Sequence, residues 1–210
     1  MDPHSPPDRA TIRPPHPLTR QLIDDLSNRP GSRVLDFCTG SGRNAAALRA
    51  AGHDVVAVAD ASAGSSDPLP PALGRFAAAI CTHGLLHGTV ASIAASLDSI
   101  ADRLDDAGAL YATFGSVRDA RFGKGRRFGP ATFAPFDGDE RGVAHTYFTR
   151  AALELLLEPH FVVERIEESG VDAIAGAWAH RQRPLAGAVH WFVVARRISM
   201  RSSIGLDALA

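Results

Sequence analysis

The run from residue 33 to residue 59 constrains the fold of this chain most strongly, because its pattern is typical of a strand, a tight turn, a helix and a second strand. Arg33–Phe37 (RVLDF) and His53–Ala59 (HDVVAVA) are short apolar stretches of the kind that form buried strands. Between them, Asn44–Ala51 (NAAALRAA) predicts a helix that stops at Gly52. Two parallel strands joined by a helix form a right-handed βαβ unit. The chain is therefore predicted to be an α/β protein.

Similar patterns continue towards the C-terminus and extend this unit into a single domain. Thr89–Leu104 carries apolar residues at helical spacing, and Thr149 is placed to cap a further helix. A long loop is predicted over residues 115–147. Further strands are expected at Phe76–Thr82, Ala109–Phe114, Phe161–Glu167 and Val189–Arg196.

These elements predict a Rossmann-like three-layer αβα sandwich with a mostly parallel sheet and a C-terminal antiparallel hairpin. We expect one domain over residues 18–198. Residues 1–17 carry six prolines and are expected to form a flexible N-terminal segment, and residues 199–210 a flexible tail.

The composition argues against several classes of protein. There are 22 Lys and Arg residues against 23 Asp and Glu residues, whereas a nucleic-acid-binding domain is normally clearly basic. The sequence has neither a run long enough to span a membrane nor an apolar secretory signal. Only two cysteines are present, so no disulfide framework is expected. We therefore expect a cytoplasmic protein with no nucleic-acid or membrane partner.

The turn after the first strand, Asp36–Gly42 (DFCTGSG), predicts a ligand site. Glycines let the backbone turn sharply and approach a ligand closely, and the outer end of a parallel strand is where α/β sheets bind ligands. Asp60 follows the second strand, twenty residues after Gly40, where an acid can accept both hydroxyls of a ribose. The alternative is a strand-to-helix loop in which the glycines serve packing alone. The agreement of glycines, acids and spacing favours a nucleoside site.

This turn resembles motif I of the class I S-adenosylmethionine (SAM)-dependent methyltransferases, in which an acid precedes alternating glycines. The resemblance extends from about Leu35 to Phe161, and it implies SAM as the cofactor. By this resemblance Asp36 lies near the methionine amino group of SAM, and Asp60 holds the ribose. Cys38 stands where the family has its first glycine. The implied cofactor-binding residues are Asp36, Cys38, Thr39, Gly40, Gly42, Asn44, Asp60, Ala61 and His83.

A dinucleotide site is the alternative, because Gly40, Gly42 and Ala45 also fit the G-x-G-x-x-A pattern of NAD-binding proteins. Asp36 argues against it, since a carboxylate at this place would face a pyrophosphate. SAM has no phosphate and carries an ammonium group, which suits an acid. The predicted closing hairpin also resembles methyltransferases more than a second mononucleotide-binding half.

The segment after Asp60 is short for this family. Only fifteen residues separate it from Phe76, and a helix with a strand and its connections needs about twenty or more. The third strand is therefore expected to be missing or vestigial, which leaves the adenine end of the site incomplete. A catalytically inactive binding or scaffold protein on the same fold stays an alternative. A bared edge strand would also favour a homodimer.

The substrate side is predicted from polar residues that follow the later strands. His83 comes directly after a strand, and a basic loop with Arg118 follows the next strand. Arg side chains suit oxyanions, and His83 has the chemistry of a base near neutral pH, although a packing role is about equally favoured. We expect His145 and Tyr147 to form a second wall of the pocket. The predicted catalytic set is His83, Arg118, His145 and Tyr147, without a metal ion.

The elements around residues 115–123 and 145–148 are similar to small-molecule methyltransferases of the tellurite-resistance and thiopurine type. This resemblance implies a small, anionic or soft acceptor, methylated by direct in-line transfer. It also implies that residues 13–17 fold over the cofactor as a lid. Cys38 and Cys81 end neighbouring predicted strands, and we interpret them as small buried residues rather than ligands of a metalloid.

Overall fold

The computed structural model describes residues 14–58, 69–138, 140–172, 174–178 and 186–199. Its helices are α1 (Pro17–Asp25), α2 (Arg43–Ala50), α3 (Val90–Arg103) and α4 (Arg150–Leu157). Its strands are β1 (Arg33–Phe37), β2 (Asp54–Val58), β3 (Phe76–Cys81), β4 (Leu104–Ser116), β5 (Arg126–Gly129), β6 (Thr132–Ala134), β7 (His145–Phe148), β8 (Phe161–Gly170) and β9 (Val189–Arg197).

The main sheet has the order β2-β1-β3-β4-β9-β8, in which the first four strands are parallel. Strand β9 runs antiparallel to both β4 and β8, which forms the predicted C-terminal hairpin. The predicted α/β class with a mostly parallel sheet is therefore confirmed. The central strands β1 and β3 are buried on both faces, as is typical of parallel strands covered by helices.

Alternate residues of the strands face two separate cores. Val34 and Ile80 point to the core that contains α1 and α2, whereas their neighbours Leu35 and Ala79 point to the core that contains α3 and α4. Side chains of a strand alternate between its two faces, so one sheet supports both layers. The three-layer sandwich follows from this alternation.

Helices α3 and α4 each begin after a threonine cap, and the cap at Thr149 was expected from the sequence. The Thr89 side chain accepts a hydrogen bond from the Ser92 backbone N–H, and the Ser92 side chain bonds back to the Thr89 N–H, which completes a capping box. The Thr149 side chain caps α4 through the Ala152 N–H. These two residues fix where α3 and α4 begin.

The prediction of a long loop over residues 115–147 is wrong. The segment contains β5 and β6, which pair antiparallel with each other and with β7. Strand β7 in turn pairs with the end of β4 through Gly115 and Ser116. The small sheet therefore stands at the carboxyl end of β4, beside the predicted site.

The expected loss of the third strand falls partly outside the described residues. Residues 69–75 hold only a short 3-10 turn at Pro71–Leu73, whereas residues 59–68 are not described. The missing third strand therefore stays a prediction. No helix of the described residues is both long and apolar enough to cross a membrane.

Candidate active site

Asp36 is the buried acid at the end of β1, and it holds the turn that follows. Its Oδ2 accepts a hydrogen bond from the Thr39 hydroxyl at 2.7 Å and another from the Ala45 backbone N–H at 3.0 Å. Its Oδ1 is buried and has no hydrogen-bond partner among the described residues. Burial raises the pKa of this carboxyl group, although the two hydrogen bonds oppose the shift. A buried carboxylate oxygen of this kind fits a cationic hydrogen-bond donor on a ligand.

The backbone of the turn adopts the left-handed conformation at three of its residues. The φ angles are 59° at Cys38, 53° at Gly40 and 73° at Gly42, which precedes α2. Cys38 therefore takes the glycine-like conformation expected at the first glycine position of the motif, although it carries a side chain. The Gly42 N–H donates to the Thr39 carbonyl at 2.9 Å and closes the turn.

The two cysteines lie beside the backbone of Gly84, in the turn after β3. A Cβ atom added to Gly84 would clash with the Cβ of Cys38, and it would lie 2.6 Å from the Cys38 Sγ and 2.8 Å from the Cys81 Sγ. Burial, together with the neighbouring Cys38, raises the pKa of the Cys81 thiol. The motif I turn and the turn after β3 are therefore packed directly against each other.

Asn44 joins three elements behind the turn. Its Oδ1 accepts from the His16 backbone N–H at 3.1 Å and from the Thr19 hydroxyl at 2.8 Å. Its Nδ2 donates to the Thr82 hydroxyl at 2.8 Å. The side chain predicted to bind cofactor is thus engaged in ties between α1, α2 and the end of β3.

Three buried histidines form a cluster at the same edge of the sheet; we call His16, His83 and His190 the histidine cluster. The ring centroids of His16 and His83 are 5.9 Å apart, and those of His83 and His190 are 5.3 Å apart. His83 has a left-handed φ of 71°, and its backbone N–H donates to the Thr113 hydroxyl at 2.8 Å. That bond fixes the turn that carries the ring into the cluster.

For two rings of the cluster, the neighbouring groups show which ring nitrogen carries the proton. His16 Nδ1 accepts from the Leu18 N–H at 3.1 Å, so in the neutral ring the proton is on Nε2. His190 Nε2 lies 3.5 Å from the guanidinium of Arg121, which only donates, so its proton is on Nδ1. Both N–H groups are buried, and neither has an acceptor in the part of the chain that the structure describes.

Both rings are held neutral by their surroundings. Burial, followed by the neighbouring His83, Arg43 and Arg20, lowers the pKa of His16 to about 2. Burial and the guanidinium of Arg121 hold the pKa of His190 well below its usual value. The cluster therefore offers two uncharged N–H donors, on His16 and His190, to a bound ligand.

Two chain segments close over the cluster. The Arg43 side chain donates to the carbonyls of Pro14 and Trp178, at 3.1 Å in both cases. The Trp178 ring centroid lies 5.9 Å from that of His83, and the Arg121 guanidinium carbon lies 5.6 Å from the Trp178 ring centroid. The described part of the predicted lid, residues 14–17, thus packs beside the site together with residues 174–178.

Arg121 is the basic residue of the loop after β4 that reaches the site. Asp119 binds it through two hydrogen bonds, from Nε at 3.0 Å and from Nη2 at 3.2 Å. Burial alone would lower the pKa of Arg121, but the hydrogen bonds and charge of Asp119 more than offset it and raise the pKa. Nη1 also donates to Glu140 at 3.4 Å, so two carboxylates balance this cation.

The structure separates the residues predicted for catalysis. His83 is in the histidine cluster, whereas His145 and Tyr147 lie on β7, next to Glu140 and Arg121. Burial raises the pKa of Tyr147. Arg118 is 77% exposed and pairs with Glu168 at 2.9 Å, away from the cluster. Asp60 and Ala61 lie outside the described residues, and Cys38, Thr39, Gly40 and Gly42 form the turn.

Sequence reasoning missed most of the cluster. His16 stands in a Pro-rich stretch and His190 in an apolar strand, and neither position suggests a ligand site. Arg121 belongs to the basic loop that the sequence indicates, but the sequence alone favours Arg118 within it. The other missed residues of the site are His87, Glu140 and Trp178. The charge and aromatic content of residues 118–127 was the only signal that pointed to Arg121.

A parallel sheet with a glycine-rich turn after its first strand, a buried acid before that turn and an antiparallel closing hairpin define the class I methyltransferase fold. Residues 13–160 match the family model described as a methyltransferase domain, which is well over half of the chain. The protein belongs to this family, and it is a SAM-dependent methyltransferase.

Solved structures of methyltransferases share the fold. The 1,6-didemethyltoxoflavin-N1-methyltransferase of Burkholderia thailandensis, with bound 1,6-didemethyltoxoflavin and S-adenosylhomocysteine (SAH), is 22% identical, with a TM-score of 0.58 over 91% of this chain and 80% of that chain. A SAM-dependent methyltransferase of Methanosarcina mazei is 15% identical, with a TM-score of 0.63 over 83% and 97%.

The magnesium protoporphyrin IX methyltransferase of Synechocystis, with bound SAM, is 15% identical, with a TM-score of 0.53 over 85% of this chain and 77% of that chain. At these identities the similarity establishes the fold and leaves the acceptor open. No curated protein matches the sequence significantly.

Proposed function

We propose that this enzyme transfers the methyl group of SAM to a small acceptor that is held by the histidine cluster. The observation that carries the proposal is the pair of buried imidazole N–H groups, His16 Nε2 and His190 Nδ1, that have no acceptor among the described residues. A buried donor without a partner costs about 1–3 kcal/mol, so a ligand that supplies an acceptor atom is favoured there.

On the cofactor side, the proposal assigns the methionine ammonium of SAM to Asp36. The buried Oδ1 of Asp36 has no partner among the described residues, whereas Oδ2 is already engaged by Thr39 and Ala45. A carboxylate that is anchored through one oxygen can meet a ligand with the other without moving. Charge-assisted hydrogen bonds of this kind are worth about 1.5–3 kcal/mol. The fit supports SAM as the occupant of the turn.

On the acceptor side, the cluster favours a molecule with hydrogen-bond-accepting oxygen or nitrogen atoms. Arg121 is paired with Asp119 and Glu140, and Arg118 is paired with Glu168. The contacts that the proposal uses are the neutral N–H groups of His16 and His190, which have no acceptor among the described residues. The small molecule bound to the Burkholderia methyltransferase supports an acceptor of this size.

The histidines are suited to orient the acceptor rather than to remove its proton. With a pKa of about 2, the His16 ring does not take up a proton near neutral pH. Its N–H donor instead fixes the acceptor atom and the direction of approach. SAM already carries an activated methyl group, so positioning and exclusion of water supply most of the rate enhancement. SAM, when bound, would supply the methyl group from its sulfonium and become SAH, and the proton of the acceptor would pass to solvent.

Titration calorimetry tests the cofactor part of the proposal. The wild-type protein should bind SAM and SAH and give no heat with NADH. A protein that binds neither SAM nor SAH would be the inactive scaffold that the short segment after Asp60 suggests. Binding of NADH alone would favour the dinucleotide alternative.

The acceptor part is tested by SAH formation over a panel of small phenols, carboxylic acids, lactams and nitrogen heterocycles. We expect turnover with members that carry an accepting oxygen or ring nitrogen. His190→Phe should lower kcat/KM for such an acceptor at least tenfold and leave the Kd for SAM unchanged. Equal turnover by His190→Phe and wild type would contradict the assignment of the histidine cluster.

A further inference from the structure

A second group of polar side chains lies on the far side of Arg121 from the histidine cluster. His87, Glu140 and His145 place one ligand atom each within 4.8 Å of one another. His87 Nε2 is 3.2 Å from Glu140 Oε1, and His145 Nε2 is 3.1 Å from Glu140 Oε2. In the proposed methyl transfer, the one role among these residues is that of Glu140 as a counterion of Arg121, and the sequence predicts no metal ion.

The proton on His145 makes this arrangement unusual. Its Nδ1 is 2.8 Å from the carbonyl oxygen of Val143, which only accepts, so the proton of the neutral ring is on Nδ1. The lone pair of Nε2 then faces a carboxylate oxygen at 3.1 Å. Two acceptors at this distance need either a proton or a metal ion between them. A shared proton joins only this pair, whereas a divalent cation would be coordinated by both rings and the carboxylate at once.

The Nδ1 hydrogen bond is also what a metal-binding histidine needs. Ligating histidines normally donate the other ring N–H to a carbonyl or a carboxylate, which fixes the ring and raises its basicity. Val143 supplies that carbonyl to His145. The ring of His145 is therefore already oriented with Nε2 towards the other two ligand atoms.

The backbone holds the two histidines together independently of their side chains. His87 and His145 form an antiparallel β-bridge. The Gly88 N–H donates to the Ala144 carbonyl at 2.7 Å, and the Thr146 hydroxyl donates to the Gly88 carbonyl at 2.7 Å. The ligand positions are thus fixed by the packing of the turn after β3 against β7.

The local charge balance admits a cation. Arg121 is 3.4 Å from Glu140, which opposes a second positive charge, but Asp119 binds that guanidinium through two hydrogen bonds. The side chains of His87 and Glu140 are 24% and 18% exposed, so an ion has a path from solvent.

From this geometry we propose that His87 Nε2, His145 Nε2 and the Glu140 carboxylate bind one divalent transition-metal ion, with Zn²⁺ as the representative ion. Two imidazoles and one carboxylate form a donor set suited to such ions, and it leaves coordination positions open to water or an oxygen ligand. Because Arg121 contacts both Glu140 and His190, the metal site adjoins the proposed acceptor site through one side chain.

The test is titration of the chelator-treated full-length protein with Co²⁺ and then Zn²⁺. One equivalent of Co²⁺ should produce visible ligand-field bands, and Zn²⁺ should displace it and abolish them. His87→Gln, Glu140→Gln and His145→Gln should each weaken binding at least tenfold. The matched control is His160→Gln, which removes a more exposed histidine that is paired with Asp98. It should bind the metal like the wild type.

X-ray absorption of the Co²⁺-loaded wild-type protein makes the test independent of whether a variant folds. The spectrum should show scattering from two imidazoles and no sulfur. Sulfur scattering would place the ion at Cys38 and Cys81 and overturn the proposal. Absence of stoichiometric binding, or equal loss of binding in His160→Gln, would overturn it as well. SAM titration of the metal-free protein reports on the methyltransferase proposal separately.

Discussion

The histidine cluster predicts that the protein loses stability as the pH falls through the slightly acidic range. His16 has a pKa of about 2 in the folded protein, against 6.5 for a free histidine side chain. Below pH 6.5 the unfolded chain therefore takes up a proton at this residue and the folded protein does not. The free energy of unfolding is fully retained above pH 6.5 and falls as the pH is lowered from there towards 2.

The size of the effect follows from the two pKa values. Between pH 7.5 and pH 5.5 the proton uptake by unfolded His16 lowers the free energy of unfolding by about 1.4 kcal/mol. His190 acts in the same direction, because its pKa is also lowered by burial. A small domain has only about 5–15 kcal/mol of stability, so the loss is readily measured.

Urea unfolding at the two pH values measures the loss, and a substitution isolates the share of His16. Asn is a good N-cap residue, so His16→Asn keeps an acceptor for the Leu18 N–H and removes the titrating ring. The pH-dependent loss in this variant should be about 1.4 kcal/mol smaller than in the wild type. The control His160→Asn removes a more exposed ring outside the cluster, and its pH-dependent loss is the reference for His16→Asn. An equal loss in His16→Asn and wild type would refute the reasoning.

Three further substitutions test how the site is built. Gly84→Ala forces a Cβ against both cysteines, and it should lower the free energy of unfolding by about 1–3 kcal/mol and weaken SAM binding. In the control Gly129→Ala the Cβ would be 3.7 Å from its nearest neighbour, so urea unfolding and calorimetry should show neither effect. Asn44→Ala removes three buried hydrogen bonds and should cost about 2–4 kcal/mol; a loss below 0.5 kcal/mol would contradict the role of Asn44 in joining the elements. Arg118→Ala should change kcat/KM less than about twofold, since its side chain is exposed and paired; a tenfold loss would restore it to the catalytic set.

The strands of the main sheet could be predicted because each central strand is a continuous apolar run between turn residues. The caps at Thr89 and Thr149 fixed two helix starts by local hydrogen bonds, which depend on neighbouring residues alone. The sharp turn of motif I could be predicted as well, because Gly40 and Gly42 readily adopt the left-handed conformation. Strands β5 and β6 have only three or four residues each, and their pairing depends on β7, so local patterns do not show them.

The site was only partly predictable, because burial decides its chemistry. A histidine in the sequence does not show whether its ring is charged, and the surroundings of His16 and His190 become known only when distant segments meet. Among the basic residues after β4, Arg121 turns inwards because Asp119, two residues before it, binds it. Arg118 turns outwards to Glu168 on β8. His87 and His145 are brought together by the packing of β7 against the turn after β3.

The affinity for SAM of the wild-type protein and of Asp36→Asn tests the central claim most directly. Asparagine keeps an oxygen for the Thr39 and Ala45 donors but removes the charge proposed to meet the SAM ammonium. We predict SAM binding by the wild type, a roughly ten- to hundredfold higher Kd in Asp36→Asn, and an unfolding free energy within about 1 kcal/mol of the wild type. Equal affinity in both proteins, or no binding by either, would contradict the account.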